Sequence, residues 1–140
     1  MPLSGRVSLL IVEDDANLRY LLETAARRTG LFEPVVSAKD GQAALEILQN
    51  SAETEMPAMI VTDLSMPRMT GLELLRALKS ELRTRSIPVA VITSSDLPND
   101  RDLALEAGAC SFVRKPYGLD ALASALVAMR ESCEAAETAT

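Results

Sequence analysis

Short apolar runs alternate with longer amphipathic segments along this chain. The runs are rich in β-branched residues, each is too short to form a helix core, and turn residues bound them. They predict five strands, at residues 7–12, 32–36, 59–62, 89–92 and 110–113. Because these runs are continuously apolar and do not alternate with polar residues, we expect a parallel sheet that is buried on both faces.

The segments between the strands have the period of helices, with apolar residues recurring every three or four positions. The third helix should begin at Thr70, whose hydroxyl forms a capping box with Glu73 three residues later. The fourth should begin near Pro98 and end at Gly108, which suits the left-handed position beyond a helix. The fifth should run over residues 119–129. Strands that alternate with helices imply right-handed crossovers and a three-layer α/β/α sandwich.

Length and composition fit one domain. The chain has 140 residues and is 48% hydrophobic, and single domains commonly contain about 100–150 residues. We assign residues 1–131 to this domain and residues 132–140, which contain few apolar side chains, to a polar C-terminal tail that frays. No apolar run approaches the ~20 residues needed to cross a bilayer, so we expect a soluble, cytoplasmic protein.

Charge and residue usage exclude several classes of function. The net charge is −6 and no basic stripe is present, which argues against binding to nucleic acid or to an anionic membrane and favours a protein partner. The chain has no histidine, so it lacks histidine acid–base catalysis, histidine metal ligands and an internal phosphohistidine. Cys110 and Cys133 lack metal-ligand spacing, and we interpret both as reduced cytosolic thiols.

Polar side chains interrupt the apolar pattern where the predicted strands end. They are Glu13, Asp14 and Asp15 after the first strand, Asp63 after the third, Thr93 after the fourth and Lys115 after the fifth. In open parallel sheets ligands bind beyond these carboxyl ends, so we expect the groups to converge. Two carboxylates at 4 Å repel by about 4 kcal/mol with an effective dielectric near 20. Such a cluster requires a cation, and oxygen ligands suit Mg²⁺.

Four stretches of the chain resemble the response-regulator receiver family of two-component signalling. They are LLIVEDD at 9–15, IVTDLSMPRMTG at 60–71, PVAVITSS at 88–95 and GACSFVRKP at 108–116. Each motif alone is weak, whereas all four in order and with the family's separations form a specific signal. The resemblance implies the flavodoxin-like fold of the chemotaxis receiver, with a five-stranded sheet in the order 2-1-3-4-5.

The resemblance also implies a role for each site residue. Asp63 is the phosphoacceptor, while Lys115 and Mg²⁺ neutralise the phosphoryl oxygens, so that catalysis is mostly positioning and charge stabilisation. Thr93 bonds a phosphoryl oxygen through its hydroxyl, Phe112 changes rotamer with Thr93, and Ser65 lends its backbone carbonyl to the metal. Taken singly, each residue also fits a structural role: Asp63 could cap a turn, Lys115 could be a solvated surface lysine, and Phe112 could be a core aromatic.

The acidic triplet requires a choice of register. The residues that follow align best with the family when Glu13 and Asp14 form its acid pair. We therefore predict that Asp14 binds Mg²⁺ directly, that Glu13 binds it through water and that Asp15 caps the first helix. A register shifted by one residue, with Asp15 in the pair, is the alternative.

Two further positions follow from the resemblance. Pro116 matches the family's cis Lys–Pro bond, which orients the Lys115 amine, and a cis X–Pro bond costs only ~0.5–1 kcal/mol; a helix-breaking role is the alternative. Ser65 and Ser95 occupy positions that in the family tune how readily water reaches the acyl phosphate. Both side chains are small, which leaves the phosphate lifetime open.

Together these features predict a single-domain response regulator without enzymatic output. It would accept a phosphoryl group from a histidine kinase or phosphotransfer protein and signal by binding a protein target. The face formed by the fourth helix, fifth strand and fifth helix should change on phosphorylation. We expect either a monomer or a homodimer that forms through this face. The alternatives are a receiver excised from a longer hybrid kinase or DNA-binding regulator, and an aspartate-nucleophile phosphatase. The phosphatase needs a second aspartate where Ser65 stands.

Overall fold

One parallel sheet of five strands forms the centre of the molecule. The computed structural model describes residues 5–95 and 97–138. Its strands are β1 (Val7–Val12), β2 (Phe32–Ala38), β3 (Met59–Thr62), β4 (Val89–Thr93) and β5 (Ser111–Arg114). They lie in the order β2-β1-β3-β4-β5, and all neighbouring pairs are parallel. The predicted strand order is confirmed.

Helices cover both faces of the sheet. They are α1 (Ala16–Thr29), α2 (Gly41–Asn50), α3 (Gly71–Ser80), α4 (Pro98–Glu106) and α5 (Leu119–Thr138), and a short 3-10 turn (Glu53–Glu55) lies between α2 and β3. The buried residues of α1 and α5 pack on one face, and those of α2, α3 and α4 pack on the other. The molecule is therefore the predicted three-layer sandwich.

The central strands are buried because both of their faces are covered. Neighbouring residues on β1 divide between the two cores: Leu9 and Ile11 face α1 and α5, while Leu10 and Val12 face α2 to α4. Each of these side chains is at most 2% exposed. Complete burial of such a side chain stabilises the fold by about 1.5–3 kcal/mol. This explains why the runs are apolar at every position.

Side-chain caps determine where three of the helices begin. Asp15 caps α1 and Asp40 caps α2 through backbone amides of the first turn. At the start of α3, the Glu73 amide donates to the Thr70 hydroxyl at 3.1 Å, and the Thr70 amide donates to the Glu73 carboxylate at 3.0 Å. The capping box predicted at Thr70 is confirmed. These caps stabilise each helix start by about 1 kcal/mol.

The end of α5 differs from its prediction. The helix does not stop near residue 129 but continues to Thr138, so the fraying tail predicted for residues 132–140 is wrong for residues 132–138; residues 139 and 140 lie outside the described part of the chain. The reason is tertiary anchoring. Arg130 donates a hydrogen bond to the Leu31 carbonyl at 2.9 Å and lies over the Phe32 ring, and Cys133 is completely buried.

The cysteines also differ from their prediction. Cys110 and Cys133 form a disulfide that joins the residue before β5 to the last part of α5. Their Cα atoms are 5.1 Å apart, within the range that a disulfide spans without backbone movement. The interpretation as two free thiols is therefore wrong, because α5 extends far enough to bring Cys133 beside β5.

Candidate functional site

The polar residues predicted from the sequence meet at the carboxyl edge of the sheet. Asp63 directly follows the central strand β3, and its amide donates to the Val12 carbonyl at the end of β1. On the other side, the Lys115 amide donates to the Thr93 carbonyl at 2.8 Å. Parallel pairing therefore brings the ends of four strands together, as the pattern of strands and polar residues predicts.

Glu13, Asp14 and Asp63 form an acidic cluster. One carboxylate oxygen from each residue lies within 4.8 Å of the others. Glu13 and Asp63 are buried, whereas Asp14 is exposed. At this separation each pair of ionised groups repels by about 3–4 kcal/mol with an effective dielectric of 20. An oxygen-only cluster of this charge has the chemistry of a site for a small hard cation.

Lys115 is the cation that the structure places against this cluster. Its Nζ donates a hydrogen bond to Asp63 Oδ2 at 2.8 Å and lies 3.1 Å from Glu13 Oε1. Burial acts to lower the pKa of Lys115, but its hydrogen bond to Asp63 and the charges of Asp63 and Glu13 outweigh burial, so that the pKa is raised. The amine is therefore protonated at neutral pH, and its positive charge lies against the carboxyl groups of Glu13 and Asp63.

The Glu13 carboxyl is the most unusual group of the cluster. Burial is the main cause that raises its pKa to about 7, the Asp63 charge raises it further, and the Asp15 amide and Lys115 oppose both. Glu13 Oε2 accepts the Asp15 amide at 3.1 Å, and the buried Oε1 forms an ion pair with the Lys115 amine at 3.1 Å. A carboxylate oxygen that is buried beside one cation can also accept a hydrogen bond from a metal-bound water. The donor set therefore suits Mg²⁺.

Asp15 lies outside the cluster and caps α1. Its Oδ1 accepts the amides of Asn17 at 2.9 Å and of Leu18 at 3.2 Å. The predicted cap is confirmed, and the cluster contains the two acids before it. Arg19, in the first turn of α1, donates from Nη1 to the Glu13 carbonyl at 2.8 Å. One turn of α1 thus holds the β1–α1 loop, a contact that spacing alone does not reveal.

The Asp63 side chain is held at both oxygens. Oδ2 accepts the Lys115 amine, while Oδ1 accepts the amides of Leu64 at 2.7 Å and Ser65 at 3.3 Å. Gly71, which the pattern of strands and polar residues does not single out, allows this loop to close, because a Cβ at this position would overlap the Asp63 carbonyl oxygen. The signal in the sequence is a glycine at the first helical position, directly after the capping Thr70.

Thr93 and Phe112 lie on the neighbouring strands β4 and β5. Thr93 is fully buried at the end of β4, and its Oγ1 accepts the Ser95 amide at 3.3 Å. Phe112 pairs with Val91 on the adjacent strand and packs partly buried against the core on the α4 side. The Lys115–Pro116 bond is not cis: within residues 5–95 and 97–138 the single cis peptide precedes another proline. The trans isomer is favoured by about 0.5–1 kcal/mol, and Lys115 reaches Asp63 with it.

A groove of about 470 Å³ borders the site on the α3 and α4 side. The side chains around it include Ser65 and Thr93 from the ends of β3 and β4, Ser95 and Asp100 from the start of α4, and the apolar Leu72 and Leu103. Residues that hold the site and residues that begin α4 therefore share one surface.

The fold and the site define a class of protein: a flavodoxin-like α/β domain with an acidic cluster and a paired lysine at the carboxyl edge of its sheet. Residues 9–127 match the family described as the response regulator receiver domain. The chain is also 32% identical over 111 residues to the chemotaxis protein CheY1 of Helicobacter pylori, an alignment that covers 79% of this chain and 86% of that protein. The chain belongs to the response regulator receiver domain family.

Solved structures agree with this assignment. The phosphorylated cyanobacterial phytochrome response regulator RcpA superposes with a TM-score of 0.79 at 25% identity, covering 91% of this chain and 93% of that one. The Mn²⁺-bound form of the response regulator Rcp1 superposes with a TM-score of 0.75 at 26% identity, covering 89% and 92%. Among the helices of residues 5–95 and 97–138, none is long and apolar enough to cross a membrane.

Proposed function

We propose that this domain accepts a phosphoryl group on Asp63 from a histidine kinase or a phosphotransfer protein and signals through a changed surface. The observation that carries the proposal is the Asp63 carboxylate, which is buried and held by Lys115 at 2.8 Å within a cluster of three acids. An Asp63 oxygen attacks phosphorus and forms the acyl phosphate. The bond between phosphorus and the donor imidazole nitrogen breaks, and its electron pair stays with the imidazole.

The residues of this chain position and neutralise the reacting groups. Lys115 is protonated and stands where the charge of the phosphoryl oxygens develops. The amides of Leu64 and Ser65 fix the other Asp63 oxygen, so one carboxylate orientation is set before the donor arrives. Thr93 supplies a hydroxyl at the edge of the same site. Most of the acceleration expected in phosphoryl transfer comes from such positioning and charge stabilisation.

Mg²⁺ is the cofactor that we propose for this site. Asp14 and Asp63 would hold it directly, Glu13 through water, and Ser65 through its backbone carbonyl. When bound, the ion neutralises charge on the phosphoryl oxygens. Support comes from the cluster of oxygen ligands formed by Glu13, Asp14 and Asp63 and from the related response regulator Rcp1, whose structure is a Mn²⁺-bound form.

The output surface is proposed to be the face formed by α4, β5 and α5, with a protein as the binding partner. Thr93 and Phe112 lead from the site to this face. Three large apolar side chains are exposed near it, Leu97, Leu105 and Tyr117, and Tyr117 is 98% exposed. A phosphoryl group that binds two arrangements of Thr93 unequally changes their populations. We propose signalling and not hydrolysis as the activity, because Ser65 stands where an aspartate phosphatase carries its general acid.

Phosphorylation by a small donor tests this proposal. Incubation with acetyl phosphate and Mg²⁺ should add one phosphoryl group, detected by intact-protein mass spectrometry. Asp63→Asn should remove the label, while Asp15→Asn should keep it, because Asp15 only caps α1. Equal labelling of the Asp63→Asn protein would place the acceptor elsewhere and refute the assignment.

A further inference from the structure

The hydroxyl of Ser95 connects the site to the first turn of α4. It donates to Asp100 Oδ2 at 2.5 Å and accepts the Leu97 amide at 3.3 Å. The Ser95 amide donates in turn to Thr93 Oγ1 at 3.3 Å. Ser95 therefore bonds Thr93 through its backbone amide and Asp100 through its hydroxyl. A continuous chain of hydrogen bonds links Asp100 to Thr93.

The start of α4 depends on this arrangement. The residue at its N-cap position is Leu97, which has no side-chain hydrogen bond to offer. Ser95 and Asp100 serve instead, from two residues before the cap position and from the first turn of the helix. In α1, α2 and α3 the capping residue stands next to the helix and is not bonded to Thr93. At α4, the helix start and the site share Ser95.

We propose that Asp100 is a positioning residue for phosphoryl transfer, acting through Ser95 to hold Thr93 away from the arrangement that serves a phosphoryl group. This inference rests on the proposed function of Asp63. Thr93 Oγ1 accepts the Ser95 amide at 3.3 Å. When Thr93 turns toward a phosphoryl oxygen, its hydrogen bond to the Ser95 amide must break or Ser95 must move with it. The hydrogen bond from Ser95 to the Asp100 carboxylate on α4 opposes that movement.

The expected effect follows from the strength of the hydrogen bond between Ser95 and Asp100. A hydrogen bond to a charged acceptor biases an equilibrium by about tenfold or more. If the arrangement competent for phosphorylation is a minor one, its population limits the observed rate in proportion. Removal of this hydrogen bond should therefore raise the initial rate of phosphorylation by acetyl phosphate about tenfold, although the same change weakens the start of α4 and lowers the melting temperature.

A double-mutant cycle tests the proposal. Asp100→Ala and Ser95→Ala should each accelerate labelling, and the double variant should be no faster than the faster single variant, because both remove the same bond. Asp102→Ala, which removes an exposed acid from the same helix, should label at the parent rate. A structural cap without influence on the site would lower the melting temperature of Asp100→Ala but leave its labelling rate unchanged or slower.

Three results would overturn the inference: an unchanged or slower rate in Asp100→Ala, an equal acceleration in Asp102→Ala, or fully additive effects in the double variant. The first would show that this hydrogen bond does not restrain Thr93, the second that general charge is responsible, and the third that Asp100 acts independently of Ser95. These failures differ from failure of the proposed function, in which the parent and all variants would remain unlabelled at Asp63.

Discussion

Replacement of Asp14 by asparagine should have opposite effects on the protein with and without Mg²⁺. The change removes one of three carboxylates whose oxygens lie within 4.8 Å of one another and leaves the buried pair Glu13 and Asp63 unchanged. Its size and polarity are nearly conserved, so the packing of the β1–α1 loop should survive. The variant therefore isolates the charge of Asp14.

The magnitude for the metal-free protein follows from the geometry. Each carboxylate pair at this distance repels by about 3–4 kcal/mol with an effective dielectric of 20. Asp14 is exposed, so water and salt screen most of its share, and we expect Asp14→Asn to stabilise the metal-free protein by about 1 kcal/mol. For a domain of this size that corresponds to a rise in melting temperature of about 3 °C.

With Mg²⁺ bound, the parent protein should be more stable than Asp14→Asn. A metal that binds only the folded protein stabilises it by about 2.7 kcal/mol at one hundred times its dissociation constant, which corresponds to roughly 8 °C for the parent. Asp14→Asn should lose this response. Asp15→Asn is the matched control, because an asparagine side chain still accepts the two amides at the start of α1.

Thermal melts of the three proteins in EDTA and in Mg²⁺, at equal ionic strength, decide the question. Equal ionic strength is required because salt alone screens the acidic cluster. A parent protein without a Mg²⁺ response would refute the metal site. A response lost in Asp15→Asn but kept in Asp14→Asn would instead show that the acid pair is shifted by one residue.

Two further predictions concern stability. Gly71→Ala should destabilise the protein by about 3 kcal/mol or more in urea unfolding, because its Cβ meets the backbone of the β3–α3 loop. Gly41→Ala, whose Cβ would have the Met69 side chain as its nearest neighbour, should cost less than about 1 kcal/mol, because that side chain can move aside; equal losses in the two variants would contradict this prediction. Reduction of Cys110–Cys133, which closes a loop of sequence separation 23, should lower the free energy of unfolding by about 3 kcal/mol. Melts with and without dithiothreitol measure this, and Cys133→Ser should not respond to the reductant.

Much of the fold could be predicted from sequence because its signals are local. The strands β1 and β3 occupy the predicted residues 7–12 and 59–62, since an apolar run and its bounding turn residues lie within a few positions of each other. The capping box at Thr70 is equally local. The meeting of Glu13, Asp63 and Lys115 was also predictable, because parallel strands place their carboxyl ends at one edge.

What the sequence left open involves groups that are distant along the chain. Strand ends and apolar runs determined that an acidic cluster would face a lysine, since both depend on which residue follows each strand. Tertiary packing decided that α5 continues past residue 129 and that Cys133 meets Cys110, because anchoring by the sheet outweighs the polar composition of that segment. Packing also decided that Gly71 must lie against the loop after β3 and that Asp100 bonds Ser95, since contacts of this kind depend on how loops close in three dimensions and leave no periodic trace in the sequence.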